Sequence, residues 1–162
     1  MAGLDRGFTL IELLMVLLLI AMVSGLVGLS LRDGGQASLE REAQRLAALL
    51  EAGRAEARAT GVAVRFELVG AGEQPAPPDQ AKSQFRFVGL APASLPGSGN
   101  TPGRWLDPAV AARIDNATAL RLGPEPLIGA QRITLILDGQ TRVLATDGLA
   151  PFSVAEPAAT AP

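Results

Sequence analysis

The sequence predicts an α+β protein, a long N-terminal helix followed by an antiparallel β domain, on three observations. From Phe8 to Leu31 run 24 residues whose only charge is Glu12. Beyond them Leu39, Ala43, Leu46, Leu50 and Ala57 recur at helical spacing. After Gly61 the apolar period changes from 3.6 to 2, as Val62, Val64, Phe66 and Leu68 alternate with Ala63, Arg65 and Glu67.

The first seven residues, MAGLDRG, are too short and polar to fold and end in a glycine directly before the apolar run. They read as a leader, residues 1–7. A secretory signal cut near Ser24 and Gly25 fits less well, because the run continues through Leu26, Val27, Leu29 and Leu31. As a helix, residues 8–31 would be roughly 36 Å long, enough to cross a hydrocarbon core of about 30 Å. Fifteen of these residues are Leu, Ile, Val or Phe. Together they favour insertion by roughly 5 to 9 kcal/mol against a cost of about 3 for Glu12. A transmembrane helix over 8–31 is therefore expected, with Arg6 holding the N-terminus in the cytoplasm.

Arg32-Asp33-Gly34-Gly35 is a charged, glycine-rich break, and residues 32–60 continue as an amphipathic helix that Gly61 stops in the left-handed conformation. Glu40, Arg41, Glu42, Arg45, Glu51, Arg54, Glu56 and Arg58 are expected on its solvated face. The β domain, 61–155, then contains a strand from Val62 to Leu68, a proline-rich loop from Gly70 to Ser83 and a second strand, Gln84 to Val88, presenting Phe85 and Phe87 together. A mobile Pro/Gly/Ser tract is expected over 91–103, core or rim packing for Trp105, and one or two short strands between Val110 and Leu122. Ile133, Leu135 and Leu137 lead to Asp138-Gly139 and a return over Thr141 to Thr146, a β-hairpin. Phe152 and Val154 suit a last strand, and 156–162 reads as a disordered tail.

Composition narrows the chemistry. The chain has no cysteine and no histidine, which removes thiolate nucleophiles, disulfides, Ser-His-Asp arrangements and His- or Cys-ligated metals. A formal net charge of −2 with interleaved signs offers no field for nucleic acid. Asp107, Asp115, Asn116, Asp138 and Asp147 fall in no calcium-loop pattern and suit turns and caps instead. Glycines 70, 72, 97 and 99 lack the strand-to-helix context of a phosphate cradle, and the single lysine, Lys82, has no serine placed beside it. No catalytic residue, cofactor or metal is assigned.

Glu12 is the one charge that demands a partner, because an ionisable side chain inside a span is costly. Cleavage after Gly7 would give Phe8 an α-amine, a cation at neutral pH four residues from Glu12. Its own amine, the amine of a neighbouring subunit and simple placement at the membrane interface all remain open to the carboxylate.

Gly7-Phe8-Thr9-Leu10-Ile11-Glu12-Leu13-Leu14 resembles, without departure, the cleavage and assembly motif of type IV prepilins and type II secretion pseudopilins. The resemblance implies a prepilin peptidase that cuts between Gly7 and Phe8 and methylates Phe8, and pairing of Glu12 with the amine of a neighbour during assembly. Leu39 to Ala59, the strand after it, the hairpin of 133–146 and the ending DGLAPFSV look similar to the minor pseudopilin called general secretion pathway protein H. What this second resemblance implies is a two-sheet β domain and a minor pseudopilin near the tip of a periplasmic fibre. Its partners would be other pseudopilins, the peptidase and an inner-membrane assembly platform. A minor type IV pilin acting in pilus assembly or DNA uptake is the alternative.

Overall fold

The computed structural model describes residues 10–70, 82 and 84–155. The chain divides into two compact units, Met1–Gly35 and Gln36–Pro162, and one helix, α1 (Leu10–Thr60), supplies residues to both. Arg32 to Gly35, expected as a break, are helical within α1. Glycine costs about 1 kcal/mol per residue against alanine, which weakens a helix already propagating on both sides without stopping it. Gly61 ends α1 as expected, with φ +69° and its N–H on the Ala57 carbonyl at 2.9 Å.

Among the described residues of the second unit, eight strands form two antiparallel sheets. The first sheet has the order β3 (Gly103–Arg104), β2 (Gln84–Val88), β1 (Val64–Val69), β5 (Ala119–Gly123). The second has β4 (Ala111–Ile114), β6 (Gln131–Leu137), β7 (Gln140–Thr146), β8 (Ser153–Ala155). Lys82 joins them at one edge, exchanging backbone hydrogen bonds of 2.7 and 2.8 Å with Ala112 of β4. Leu39, Ala43, Leu46, Leu50 and Ala57 of α1 are all fully buried in one core with Phe66, Phe85, Leu120, Leu122, Ile133, Leu135 and Leu144. Burying each leucine of the helix contributes roughly 1.5–3 kcal/mol. The helix lies so close to the first sheet that a Cβ on Gly53 would come within 2.9 Å of Leu122.

Several expectations need correction. The first strand begins at Val64, and Val62 is 47% exposed, because the chain needs two residues beyond the Gly61 cap before it enters the ladder. Glu67, expected on a wet face, is buried and takes a two-nitrogen grip from Arg86 at 3.0 and 2.9 Å. The 91–103 tract is built into the fold rather than loose. The Phe87 N–H bonds the Gly97 carbonyl at 2.8 Å, and the Ser98 hydroxyl both donates to and accepts from the backbone of Leu95. Its glycines serve a close approach: a Cβ at Gly103 would sit 2.3 Å from the Phe85 ring, and one at Gly97 3.1 Å away. Trp105 is buried beside that ring, with centroids 4.8 Å apart. The β6–β7 hairpin turns through Asp138 and Gly139 at φ 48° and 77°, the paired left-handed conformation of a type I′ turn. The expected proline-rich loop falls mostly, and the tail wholly, outside the described residues.

Candidate functional site

Of the three residues singled out in the sequence, Gly7 and Phe8 lie outside the described residues. Glu12 lies in the first described turn of α1. Around it the helix presents apolar side chains in every direction. Leu10, Ile11, Leu13, Leu14 and every large apolar residue on to Met22 are exposed, from 42% at Val16 to 79% at Leu10. An all-round apolar surface is what a helix shows when lipid or other helices are its solvent. Among the described residues no helix is long and apolar enough to cross a membrane. The expected span, 8–31, extends beyond the stretch from Leu10 to Met22 over which its side chains are described.

In the second unit, two charges expected on the solvated face of α1 are buried. Glu42 is 1% exposed; it bonds Arg45 at 2.7 Å and accepts from the Leu106 N–H in the loop after β3. Arg54 is 2% exposed and donates to the Ala150 carbonyl at 3.0 Å, to the Gly148 carbonyl at 3.5 Å and to Glu51 at 3.2 Å. Glu51 accepts in turn from the Phe152 N–H at 3.0 Å. These charges fasten loops that return from far along the sequence. The signal was present in the spacing: Glu42 stands three after Leu39 and four before Leu46, and Arg54 four after Leu50 and three before Ala57, within the phase of the core stripe.

The loop acids act in turns. Asp107 caps the Ala109 N–H at 2.9 Å, Asp138 occupies the hairpin turn, and Asp147 receives the Leu149 and Ala150 N–H groups at 2.8 and 2.7 Å. The Ala150 amide foremost, then that of Leu149, hold the Asp147 carboxyl below the ordinary aspartate range, with Arg54 a smaller influence. Among the described residues no three of His, Cys, Asp and Glu are gathered to hold a metal.

The prokaryotic N-terminal methylation motif matches residues 4–28, the stretch that contains Gly7, Phe8 and Glu12. Two crystal forms of the type IV minor pilin FimU of Pseudomonas aeruginosa strain PAO1 share the fold. In one the identity is 18%, over 78% of this chain and 94% of FimU, with a TM-score of 0.54; in the other it is 20%, over 76% and 97%, with a TM-score of 0.51. The chain has a type IV pilin-like fold. Comparison with curated proteins finds no match. The methylation motif and the β domain occupy separate stretches, and the exposed apolar helix around Glu12 is the candidate functional site.

Proposed function

We propose that the chain is a minor subunit of a bacterial envelope fibre, cut between Gly7 and Phe8, methylated on Phe8 and anchored in the inner membrane through residues 8–31 until Glu12 guides it into the fibre. The single observation that carries this reading is the motif match over 4–28 in a chain with a pilin-like β domain. Glu12 is the only ionisable group between Phe8 and Leu31. An amine on the neighbour's Phe8 would set the axial register of one helix against the next in low-dielectric surroundings. No catalysis is assigned to the chain. Its partners are other pilin-like subunits, a prepilin peptidase and an inner-membrane assembly platform, with the β domain in the periplasm.

For the kind of fibre, the resemblance of the region after Leu39 to general secretion pathway protein H supports a type II secretion pseudopilus, in which the chain acts near the tip to support export of folded proteins. A minor type IV pilin is the second reading, favoured by the likeness to FimU. Deleting the gene separates them: loss of secreted proteins with surface pili intact supports the first, and loss of pili with secretion intact the second.

Gly7 and Glu12 act at different steps, which gives the test of the fibre reading. A bulky residue at Gly7 leaves the leader attached, visible as an uncut mass, and Phe8 never exposes an amine. Glu12→Ala is cut and inserted, relieved of roughly 3 kcal/mol of intramembrane carboxylate cost, but crosslinks poorly to other subunits. Wild-type assembly by Glu12→Ala overturns the pairing role.

A further inference from the structure

Among the described residues of the second unit, four large apolar side chains are exposed: Val62, Leu106, Leu127 and Leu149, at 47, 63, 66 and 72%. Three of them gather at the end of the domain where α1 stops. Val62 follows the Gly61 cap. Gly123 lies so close to the helix that a Cβ there would come within 3.1 Å of the Ala57 Cβ, and it leads into the loop that carries Leu127. The next residue, Ile128, donates its N–H to the Gly148 carbonyl at 3.3 Å, and Leu149 follows Gly148, so the loops carrying Leu127 and Leu149 lie against each other. Arg54 fastens the second of these loops, through the Gly148 and Ala150 carbonyls, to the last two turns of the helix. Leu106 lies toward the opposite end, where α1 enters the domain. Glu42 holds its N–H, and it borders an open groove of about 580 Å³ shared with Ser38, Arg41, Asp107 and Pro108. From Glu42 to Arg54 the helix rises about 18 Å along its axis.

Exposed apolar side chains scattered singly over a surface need no explanation, but a grouped set marks a contact. Here the two groups are different and stand at opposite ends of the domain. A twofold contact joins like to like and would cover one end only; a head-to-tail contact covers both and repeats instead of closing. The area is small. Three aliphatic side chains at one end and one at the other fall well short of the roughly 800 Å² per partner that a stable free-standing interface buries. Such a contact holds only between domains already gathered side by side, and subunits joined through their N-terminal helices in one fibre meet that condition.

We propose that the end bearing Val62, Leu127 and Leu149 receives the β domain of a neighbouring pilin-like subunit at the end where that neighbour's helix enters it, and that the end bearing Leu106 is seated in the same way on another neighbour. The proposal rests on the fibre reading. It also narrows the place of the chain within the fibre: a subunit apolar at both ends is flanked on both sides, whereas one that closes a stack presents a polar outer face, as the terminal units of repeat proteins do.

The full chain, carrying a photo-crosslinking benzoylphenylalanine in place of the exposed Ala150 at one end or the exposed Ala109 at the other, is expressed in cells with their own fibre machinery. Both positions should give adducts with proteins that themselves bear an N-terminal methylation motif. The adduct from position 150 should map to the end of the partner's domain at which its helix enters, and that from position 109 to the end at which its helix stops. Leu127→Asp with Leu149→Asp should lower the yield from position 150 by about tenfold or more, because a charge would be buried without a partner, and leave the yield from position 109 unchanged. Leu149→Met keeps most of the yield. No adduct, a yield indifferent to the two Asp changes, adducts that map to like ends of the partners, or adducts only with lipid or an unrelated protein overturn the proposal. Unchanged Trp105 fluorescence excludes misfolding, and Leu149→Ser, a milder change at an exposed position, must move the yield in the same direction. If the Asp changes are silent while Glu12→Ala still abolishes assembly, the end contact fails and the fibre reading stands; if Glu12→Ala is silent too, both fail.

Discussion

Arg54 is the side chain whose replacement discriminates best between a structural fastening and a mere buried charge. Its three hydrogen bonds, to Ala150, Gly148 and Glu51, involve a charged donor, and such bonds contribute about 1.5–3 kcal/mol each, less for the 3.5 Å contact. Against them stands desolvation of a guanidinium whose Nε has no partner, a cost of several kcal/mol. The acceptors are not orphaned when it is removed. The Ala150 carbonyl keeps the Thr146 hydroxyl at 2.6 Å, the Gly148 carbonyl keeps the Ile128 N–H at 3.3 Å, and Glu51 keeps the Phe152 N–H. Arg54→Met, which retains the apolar stem, should therefore cost about 1–3 kcal/mol, and Arg54→Ala, which also opens a cavity, about 3–5. For a domain of this size, at about 3–5 °C per kcal/mol, that corresponds to a fall in melting temperature of roughly 3–15 °C for the Met variant. The measurement is thermal unfolding of a soluble domain beginning at Gly35, followed by the fluorescence of Trp105, the only tryptophan and a buried one. Stability of Arg54→Met equal to or above the wild type would refute the reasoning, since desolvation would then outweigh the bonds.

The domain beginning at Gly35 should itself be soluble, monomeric and mixed α and β by circular dichroism, because the exposed aliphatic helix of 10–22 is left behind; an insoluble or all-helical product would contradict the architecture. Its acid sensitivity should include a contribution from Asp147. The folded carboxyl titrates below the unfolded value of about 3.9, so the stabilisation is complete above that pH and is lost as pH falls through the lower folded value. Asp147→Ala should flatten the stability profile in that acid window and leave its neutral-pH shape alone, as unfolding titrations at several pH values would record. The same domain should bind DNA only weakly and in a salt-labile way, since its arginines are interleaved with acids; submicromolar affinity in a gel shift at physiological salt would argue for the DNA-uptake pilin.

Where one physical rule acts alone, the sequence was readable. The change of period after Gly61 locates the passage from helix to sheet, Gln84–Val88 is a strand with the expected bounds, and Asp138-Gly139 specifies the hairpin through its two left-handed positions. The misreadings arose where distant segments meet. Glu42 and Arg54 stand in the phase of the core stripe, but which loops return to cover them, at Leu106 and at 148–152, is written nowhere near them. The 91–103 tract has the composition of a loose loop, and its order comes from a ring, Phe85, that the backbone can reach only where side chains are missing. Of the candidate site, Glu12 was legible because a lone charge in an apolar run is unusual by itself.

The fastening of Arg54 also fixes an order of events. Its carbonyl partners lie 94 and 96 residues downstream, and the amide that completes Glu51 lies 101 residues away. Arg54 and Glu51 therefore acquire their loop partners only from the last residues of the domain to be synthesised, and contacts of such separation form slowly. A chain emerging N-terminus first holds the apolar face of Leu46, Leu50 and Ala57 ready but unsealed until residues 148–152 have appeared. Truncation at Thr146 should then yield a protease-sensitive, partly helical chain rather than a slightly shorter domain, because the closing segment is missing while most of the core residues are present.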